Sequence, residues 1–167
     1  MKLKISGIVD DSIVDGRGIR MTVFVQGCPH HCPGCHNPQT HAFDGGEWDD
    51  TDRIFESFCE NPLLKGITFS GGEPFCQPKP LKELADRVHG FKKDVTIYTG
   101  WTYEQLCDMH DPDVDALLDV CDVLVDGPFI EELKDLELLF RGSSNQRLID
   151  MKRTRKNGRV TLLELDW

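Results

Sequence analysis

MTVFVQGCPHHCPGCHNP, residues 21–38, runs from a β-like segment straight into a loop that holds Cys28, Cys32 and Cys35. Residues 21–27 are rich in β-branched and aromatic side chains, the composition of a strand. Gly27 and Gly34 permit the sharp bends that a loop wrapped around a metal needs. Three thiols at C-x3-C-x2-C spacing are soft ligands, whereas a structural metal site usually takes four. A strand that ends in an incomplete ligand set is therefore the starting point for both the fold and the chemistry.

Outward from that strand the same pattern recurs. GITFSGG (66–72), DVTIYTG (94–100) and CDVLVDG (121–127) are strand-like runs, each ending in glycine. Between them lie stretches with apolar residues at helical spacing: TDRIFESFCEN (51–61), PLKELADRVHGF (80–91) and the segments of 103–119, broken at Pro112. In the second of these, Leu81, Leu84, Ala85 and Val88 share one face behind Pro80, a favoured helix start. EELKDLELL (131–139) reads as a short helix. RLIDM (147–151) and RVTLLEL (159–165) read as a hairpin around Asn157-Gly158, a two-residue turn signal. Strands alternating with helices imply βαβ units and a parallel sheet. Four units and a hairpin are too few for a closed eight-fold barrel. The expected fold is α/β, a partial, open (β/α) barrel, truncated, with a C-terminal β-hairpin, in one domain over 1–167. Pro62 and Pro78 fall in short connections, and no repeat, low-complexity tract or linker interrupts the chain. Loops that follow the strands of such folds gather at one face, where active sites sit. Here they are the cysteine loop, Gly-Gly-Glu-Pro, Tyr-Thr-Gly-Trp and Asp-Gly-Pro-Phe.

The chain has 167 residues, 39% hydrophobic and 29% charged, with a formal net charge of -10. That balance fits a globular protein and argues against nucleic acid as the main partner. The basic run at 151–159 reads as a solvated hairpin tip. No apolar run approaches a membrane span, and MKLKISGIVDDS lacks the apolar core of a signal peptide, so an intracellular, cytoplasmic protein is expected. In a reducing compartment seven cysteines are poor candidates for a disulfide framework. Metal or redox chemistry suits the clustered three. Cys59 and Cys121 read as small core residues, and Cys76 as a loop or core thiol.

Two metals compete for the three cysteines. Zinc usually pairs one C-x2-C with a distant second pair, which is absent here, although His30, His31 or His36 could supply a fourth ligand. An iron–sulfur cube normally takes four thiolates. Three would leave one iron open to a substrate or cofactor.

A C-x3-C-x2-C loop with an open iron resembles the motif of the radical S-adenosylmethionine (SAM) enzymes. The resemblance implies that Cys28, Cys32 and Cys35 bind a [4Fe-4S] cluster whose open iron is chelated by SAM. The reduced cluster then cleaves SAM to a 5′-deoxyadenosyl radical. Gly71-Gly72-Glu73-Pro74 resembles the family's Gly-Gly-Glu-Pro motif, whose polar groups receive the SAM ammonium. The family often places an aromatic residue near the third cysteine, against adenine. Here Gly34 precedes Cys35, and the Cys-Pro-Gly-Cys-aromatic-Asn pattern resembles one branch, the activases of anaerobic ribonucleotide reductase, with His36 in the place that branch commonly gives to tyrosine. Val14–Arg20, Asp126–Phe129 and Phe140–Asp150 resemble signatures of the same branch. The match spans roughly residues 7–151.

The resemblance implies a glycyl radical made on the anaerobic ribonucleoside-triphosphate reductase, with a flavodoxin or ferredoxin as electron donor and no nucleic acid or membrane partner. No side chain beyond the cluster ligands is required as a catalytic group. Asp126 and the Arg141–Arg147 segment are candidates for docking or SAM contacts. The alternatives are an activase of another glycyl radical enzyme, of the pyruvate formate-lyase type, a small-molecule radical SAM enzyme, or a non-catalytic zinc-binding module.

Overall fold

The computed structural model describes residues 1–164. The chain runs β1 (Lys2–Ser12), β2 (Arg20–Val25), β3 (Glu47–Asp50), α1 (Thr51–Cys59), β4 (Gly66–Gly71), α2 (Pro78–Gly90), β5 (Asp94–Tyr98), α3 (Tyr103–Asp108), α4 (Pro112–Asp119), β6 (Val123–Asp126), β7 (Arg147–Asp150) and α5 (Met151–Asn157). It is a mixed α/β fold with one seven-stranded sheet in the order β3-β1-β2-β4-β5-β6-β7. The centre, β2-β4-β5-β6, is parallel. Both edges are antiparallel.

Strand period decides what each face of the centre carries. Met21, Ile67 and Val95 are in register, and so are Val23, Phe69, Ile97 and Leu124. These rows are buried in the hydrophobic core together with Ile54 of α1, Leu84 of α2 and Leu117 of α4. Alternate residues on the same strands make a polar face. Thr22, Thr68 and Thr96 are in register across β2, β4 and β5. The fully buried Arg20 lies on that face, where it donates to Thr68 Oγ1 at 2.7 Å and to the Ile67 carbonyl at 2.8 Å, and pairs with Asp94. A threonine ladder cannot stand unpaired in a dry interior. It is satisfied by the segment between β1 and β2: Thr22 donates to the Asp15 carboxylate and Thr68 to the Asp15 carbonyl. Ser12 donates to the same carboxylate. The polar face thus holds the segment between β1 and β2 against it through Ser12, Asp15 and Arg17, and Ile13 to Asp15 reach the cavity.

The four expected parallel strands and the break at Pro112 are present. α2 begins at Pro78 rather than Pro80, so Pro78 opens a helix instead of lying in a connection. Several readings change. β1 and β3 are absent from the sequence reading, because KLKISGIVDDS and EWDD carry lysines, aspartates and glutamate where a strand signal would be apolar; β3 is the edge strand and β1 lies between it and β2. EELKDLELL does not form an α-helix; only Glu131–Leu133 makes a single 3-10 turn. The C-terminal hairpin is corrected in its turn. MKRTRKN is helix α5, started by an Asp150 carboxylate that accepts from the Arg153 N–H, and Gly158 ends it in the left-handed region at φ 70°. The glycine is a helix C-cap, not the second residue of a tight hairpin turn. The return pairing itself exists: Asp150 N–H donates to Thr161 and Leu163 N–H to Leu148, beside an Ile149–Leu162 bridge. Leu165, the last residue of the expected second strand, lies outside the described residues. Cys121 is buried, but Cys59 is exposed at the end of α1 and is not a core residue.

Candidate metal centre

The cysteine loop leaves β2 at Val25 and is stapled at its base. Gly27 N–H donates to the Thr40 carbonyl at 2.7 Å and Cys28 N–H to the His41 carbonyl at 3.1 Å. The Gln26 amide bonds the carbonyls of Gln39 and Ala42. A long loop therefore has a short, closed neck. Within it, Cys35 N–H donates to the Cys32 carbonyl, with Gly34 in the left-handed region at φ 74°. Asn37 N–H points at Cys35 Sγ at 3.5 Å. Backbone amides aimed at ligand sulfurs are the groups that tune an iron–sulfur site.

The neck is sewn to the Gly-Gly-Glu-Pro turn. Gly72 N–H donates to the Val25 carbonyl at 2.9 Å and Glu73 N–H to the Gly27 carbonyl at 2.8 Å. A Cβ added at Gly72 would sit 2.4 Å from the Gly27 carbonyl oxygen, a backbone atom that cannot step aside. Gly72→Ala is therefore expected to push the two loops apart. It should lower stability by about 1–3 kcal/mol, as overpacking does, and reduce iron uptake on anaerobic reconstitution. Unchanged thermal unfolding and iron content would show that the close approach is dispensable.

The loops after all four parallel strands meet around one cavity of about 500 Å³. Cys28, Cys32, Cys35 and His36 line it after β2, Gly71 and Gly72 after β4, Thr99 and Gly100 after β5, and Gly127 and Phe129 after β6. Of the anticipated site residues, two stand off this wall. Gly34 lies in the loop but against the Glu131 side chain. Glu73 is fully buried behind the wall, where its carboxylate accepts from Phe75 N–H, Thr99 O–H and Gly100 N–H and meets His30 Nε2 at 2.7 Å. His36 packs tilted against Phe129 with ring centroids 5.1 Å apart. Asp126 is buried and held by Arg147 and the Tyr103 N–H, so it serves the fold rather than a docking surface.

The donor set fits an iron–sulfur cluster. Three free cysteines share one wall. Burial pushes the Cys28 thiol up to about 11; a hydrogen bond from the His30 backbone works against this, and Glu73, Cys32 and Cys35 add to the rise. Iron would have to displace that proton, as metals do at thiol sites. Among the described residues no three His, Cys, Asp or Glu side chains draw together as the ligands of one metal ion would. A cube spreads its ligands over separate irons, one thiolate to each corner. Arg141 also lines the cavity, and its Nε is buried without a hydrogen-bond partner.

A family model described as a 4Fe-4S single cluster domain matches residues 14–149. Proteins named anaerobic ribonucleoside-triphosphate reductase-activating protein are similar along most of the chain. The one from Salmonella typhimurium is 36% identical over 143 residues, covering 80% of this chain and 90% of its own. That of Escherichia coli K12 is 35% identical with the same coverage, and that of Enterobacteria phage T4 is 32% identical over 142 residues, covering 81% and 86%. The chain belongs to this family. The crystal structure of QueE from Escherichia coli overlaps it at a TM-score of 0.49 and 17% identity, over 61% of this chain and 54% of that one.

Within this family's frame, the residues that sequence reading passed over are His30, Thr99 and Gly100. Thr99 and Gly100 were legible only as a glycine-ended strand. His30 was legible only as a spare ligand between two cysteines, yet it turns to Glu73 and stands edge-on to Trp101 at 4.6 Å. Cys76 lies off the cavity wall. It is exposed at the end of the short 3-10 turn Pro74–Cys76, where its N–H donates to the Glu73 carbonyl at 3.0 Å.

Proposed function

We propose that this chain is a radical SAM activase that makes a glycyl radical on an anaerobic ribonucleoside-triphosphate reductase. One observation carries the reading: Cys28, Cys32 and Cys35 share a cavity wall with Gly71 and Gly72, in a chain whose relatives are named for activating that reductase. When bound, a [4Fe-4S] cluster and SAM supply the electron and the hydrogen-abstracting group that convert a glycine of the reductase to its radical. Cys28, Cys32 and Cys35 hold three corners of the cluster. The amides of Gly72 and Glu73 are engaged with Val25 and Gly27, so the turn offers its carbonyls to the SAM ammonium, with the Glu73 carboxylate behind. Cys35 and His36 form the adenine side, and Gly34, off the wall, supplies the bend that sets them there.

Arg141 is the one lysine or arginine on the cavity wall among the described residues. It takes the SAM carboxylate through its unpaired Nε. A charge-assisted hydrogen bond contributes about 1.5–3 kcal/mol. Arg141→Gln should therefore weaken SAM binding by about 10–100-fold, while 5′-methylthioadenosine, which has no carboxylate, binds as before. Equal losses for both ligands would remove Arg141 from this role.

The finer architecture belongs to the same proposal: residues 1–167 as one radical SAM domain with a partial, open barrel. The parallel centre of the sheet, its helix-covered face and its polar inner face support this. The cell supplies the electron from a flavodoxin or ferredoxin, and the enzyme works in the cytoplasm. No helix among the described residues is long and apolar enough to cross a membrane.

The test is anaerobic. The protein is reconstituted with iron and sulfide, reduced and given SAM, and 5′-deoxyadenosine is measured. A glycyl radical signal by electron paramagnetic resonance is sought with the reductase present. Nucleoside with that signal supports the whole reading. Nucleoside without it keeps the chemistry and changes the substrate to another glycyl radical enzyme or a small molecule. Zinc without acid-labile sulfide, and no nucleoside, would overturn the reading.

A further inference from the structure

Four large apolar side chains stand in solvent around the cavity. Ile13 is 71% exposed, Val14 69%, Leu136 84% and Leu139 49%, and all four line the cavity. None belongs to the hydrophobic core. Scattered exposed leucines need no explanation, but apolar residues gathered at one opening mark an interaction surface.

Their backbones are anchored rather than loose. Ile13 and Val14 are bracketed by the buried Ser12 and by Asp15, which are hydrogen-bonded to each other, Asp15 also to Thr22. On the opposite segment a Lys134–Ser143 bridge and the hydrogen bonds from Asp135 N–H to Gly142 and from Ser144 N–H to Leu133 close the loop that carries Leu136 and Leu139. Two apolar edges are held on rigid supports, so a ligand need not order them on binding.

The surrounding charge is mostly acidic. Asp10 and Asp11 are exposed beside the first edge, and Glu131, Glu132, Asp135 and Glu137 beside the second. The cations across 10–17 and 131–141 are Arg17, Lys134 and Arg141, the last on the cavity wall. Six exposed carboxylates against three cations favour an occupant with an apolar centre and basic flanks.

We infer that this rim is the docking surface for the reductase segment carrying the target glycine, a loop with an apolar tip flanked by lysine or arginine. The inference rests on the function proposed above. The apolar edges grip the tip and exclude water from the cavity. The acidic surround steers the basic flanks and sets register.

The test compares wild type, Ile13→Ser with Leu136→Ser together, and Asp135→Lys with Glu137→Lys together. Reductase affinity is measured at low and moderate salt, and 5′-deoxyadenosine without reductase is measured in parallel. The serine pair should weaken reductase binding by about 10–100-fold, the effect of losing central apolar anchors. The glycyl radical yield should fall with it, and SAM cleavage should stay at the wild-type rate. The lysine pair should slow association and flatten its salt dependence. Unchanged affinity in the serine pair overturns the rim as docking surface. Unchanged or tighter binding in the lysine pair overturns a basic-flanked partner. The two proposals fail separately. If wild type cleaves SAM but the rim variants bind normally, only the rim is wrong. If wild type never cleaves SAM yet the rim variants lose the reductase, the rim stands and the chemistry does not.

Discussion

Cys32→Ala is expected to abolish cluster assembly while leaving the fold intact. Reconstituted wild type should hold about four irons and four sulfides per chain, as a [4Fe-4S] site requires, and the variant should approach none. The reasoning is one of ligand number. Cys28, Cys32 and Cys35 are the cysteines on the cavity wall, and with one corner already reserved for SAM a second lost thiolate leaves two. The other cysteines offer no substitute on that wall: Cys59 is exposed at the end of α1, and Cys107 and Cys121 lie on or against the helix-side core. Cys76 is the informative control, exposed and off the wall in the turn whose Glu73 N–H bonds the Gly27 carbonyl. Cys76→Ala should keep full iron content and SAM cleavage. Cys32 is partly exposed and takes no part in the core, so the apo form of Cys32→Ala should unfold within a degree or two of wild type, as surface changes do. Iron and sulfide content by chemical assay, with thermal unfolding of the apo protein alongside, checks both halves. Retained cluster in Cys32→Ala would mean that the ligand set is wrong.

Much of this arrangement was legible in the sequence because its signals are local. A β-branched run followed by glycine marks each parallel strand, and one face of apolar residues marks α2. The convergence of the strand-end loops follows from parallel topology alone. What escaped reading depends on partners far along the chain. β1 is held between β2 and β3, and its charged residues, Lys2, Lys4, Asp10 and Asp11, mask a strand that only these long-range pairings define. α5 carries a basic sequence with an asparagine-glycine end, a pattern shared by a hairpin turn and a helix C-cap. The Asp150 cap and the buried Met151 and Thr154 decide for the helix. The acidic run 131–139 has helical spacing, but Leu133, Leu136 and Leu139 are exposed and none of its leucines joins the core, so most of it stays irregular. At the site, the cysteines and glycines announced themselves by spacing. His30 and Thr99 did not, because a hydrogen bond across 43 or 26 residues leaves no local trace.

Glu73→Gln should lower both stability and SAM cleavage, and the stability loss is the telling part. The Glu73 carboxylate has no exposed surface. Oε1 accepts from Gly100 N–H at 2.8 Å and Thr99 O–H at 2.9 Å and meets His30 Nε2 at 2.7 Å. Oε2 accepts from Phe75 N–H at 3.0 Å. A glutamine has one acceptor oxygen and one donor nitrogen. Whichever side the nitrogen takes, it faces a backbone N–H, of Gly100 or of Phe75, and two donors are left opposed in a buried site. Leaving a buried hydrogen-bonding group unmatched costs about 1–3 kcal/mol, more where a charge was involved. About 3 kcal/mol in a chain of this size corresponds to a fall of about 6–12 °C in Tm. The chemical consequence travels through His30, which would lose its hold on the loop after β4 and free the cysteine loop from the β5 end. A contact made only with the SAM ammonium predicts something different: apo stability unchanged and SAM affinity alone reduced. Thermal unfolding of apo protein therefore separates a carboxylate that builds the site from one that only touches the ligand. A cycle with His30→Ala completes the argument. If Glu73 and His30 act as one unit, the double variant should lose little more stability than either single one; fully additive losses would show that the 2.7 Å contact couples nothing.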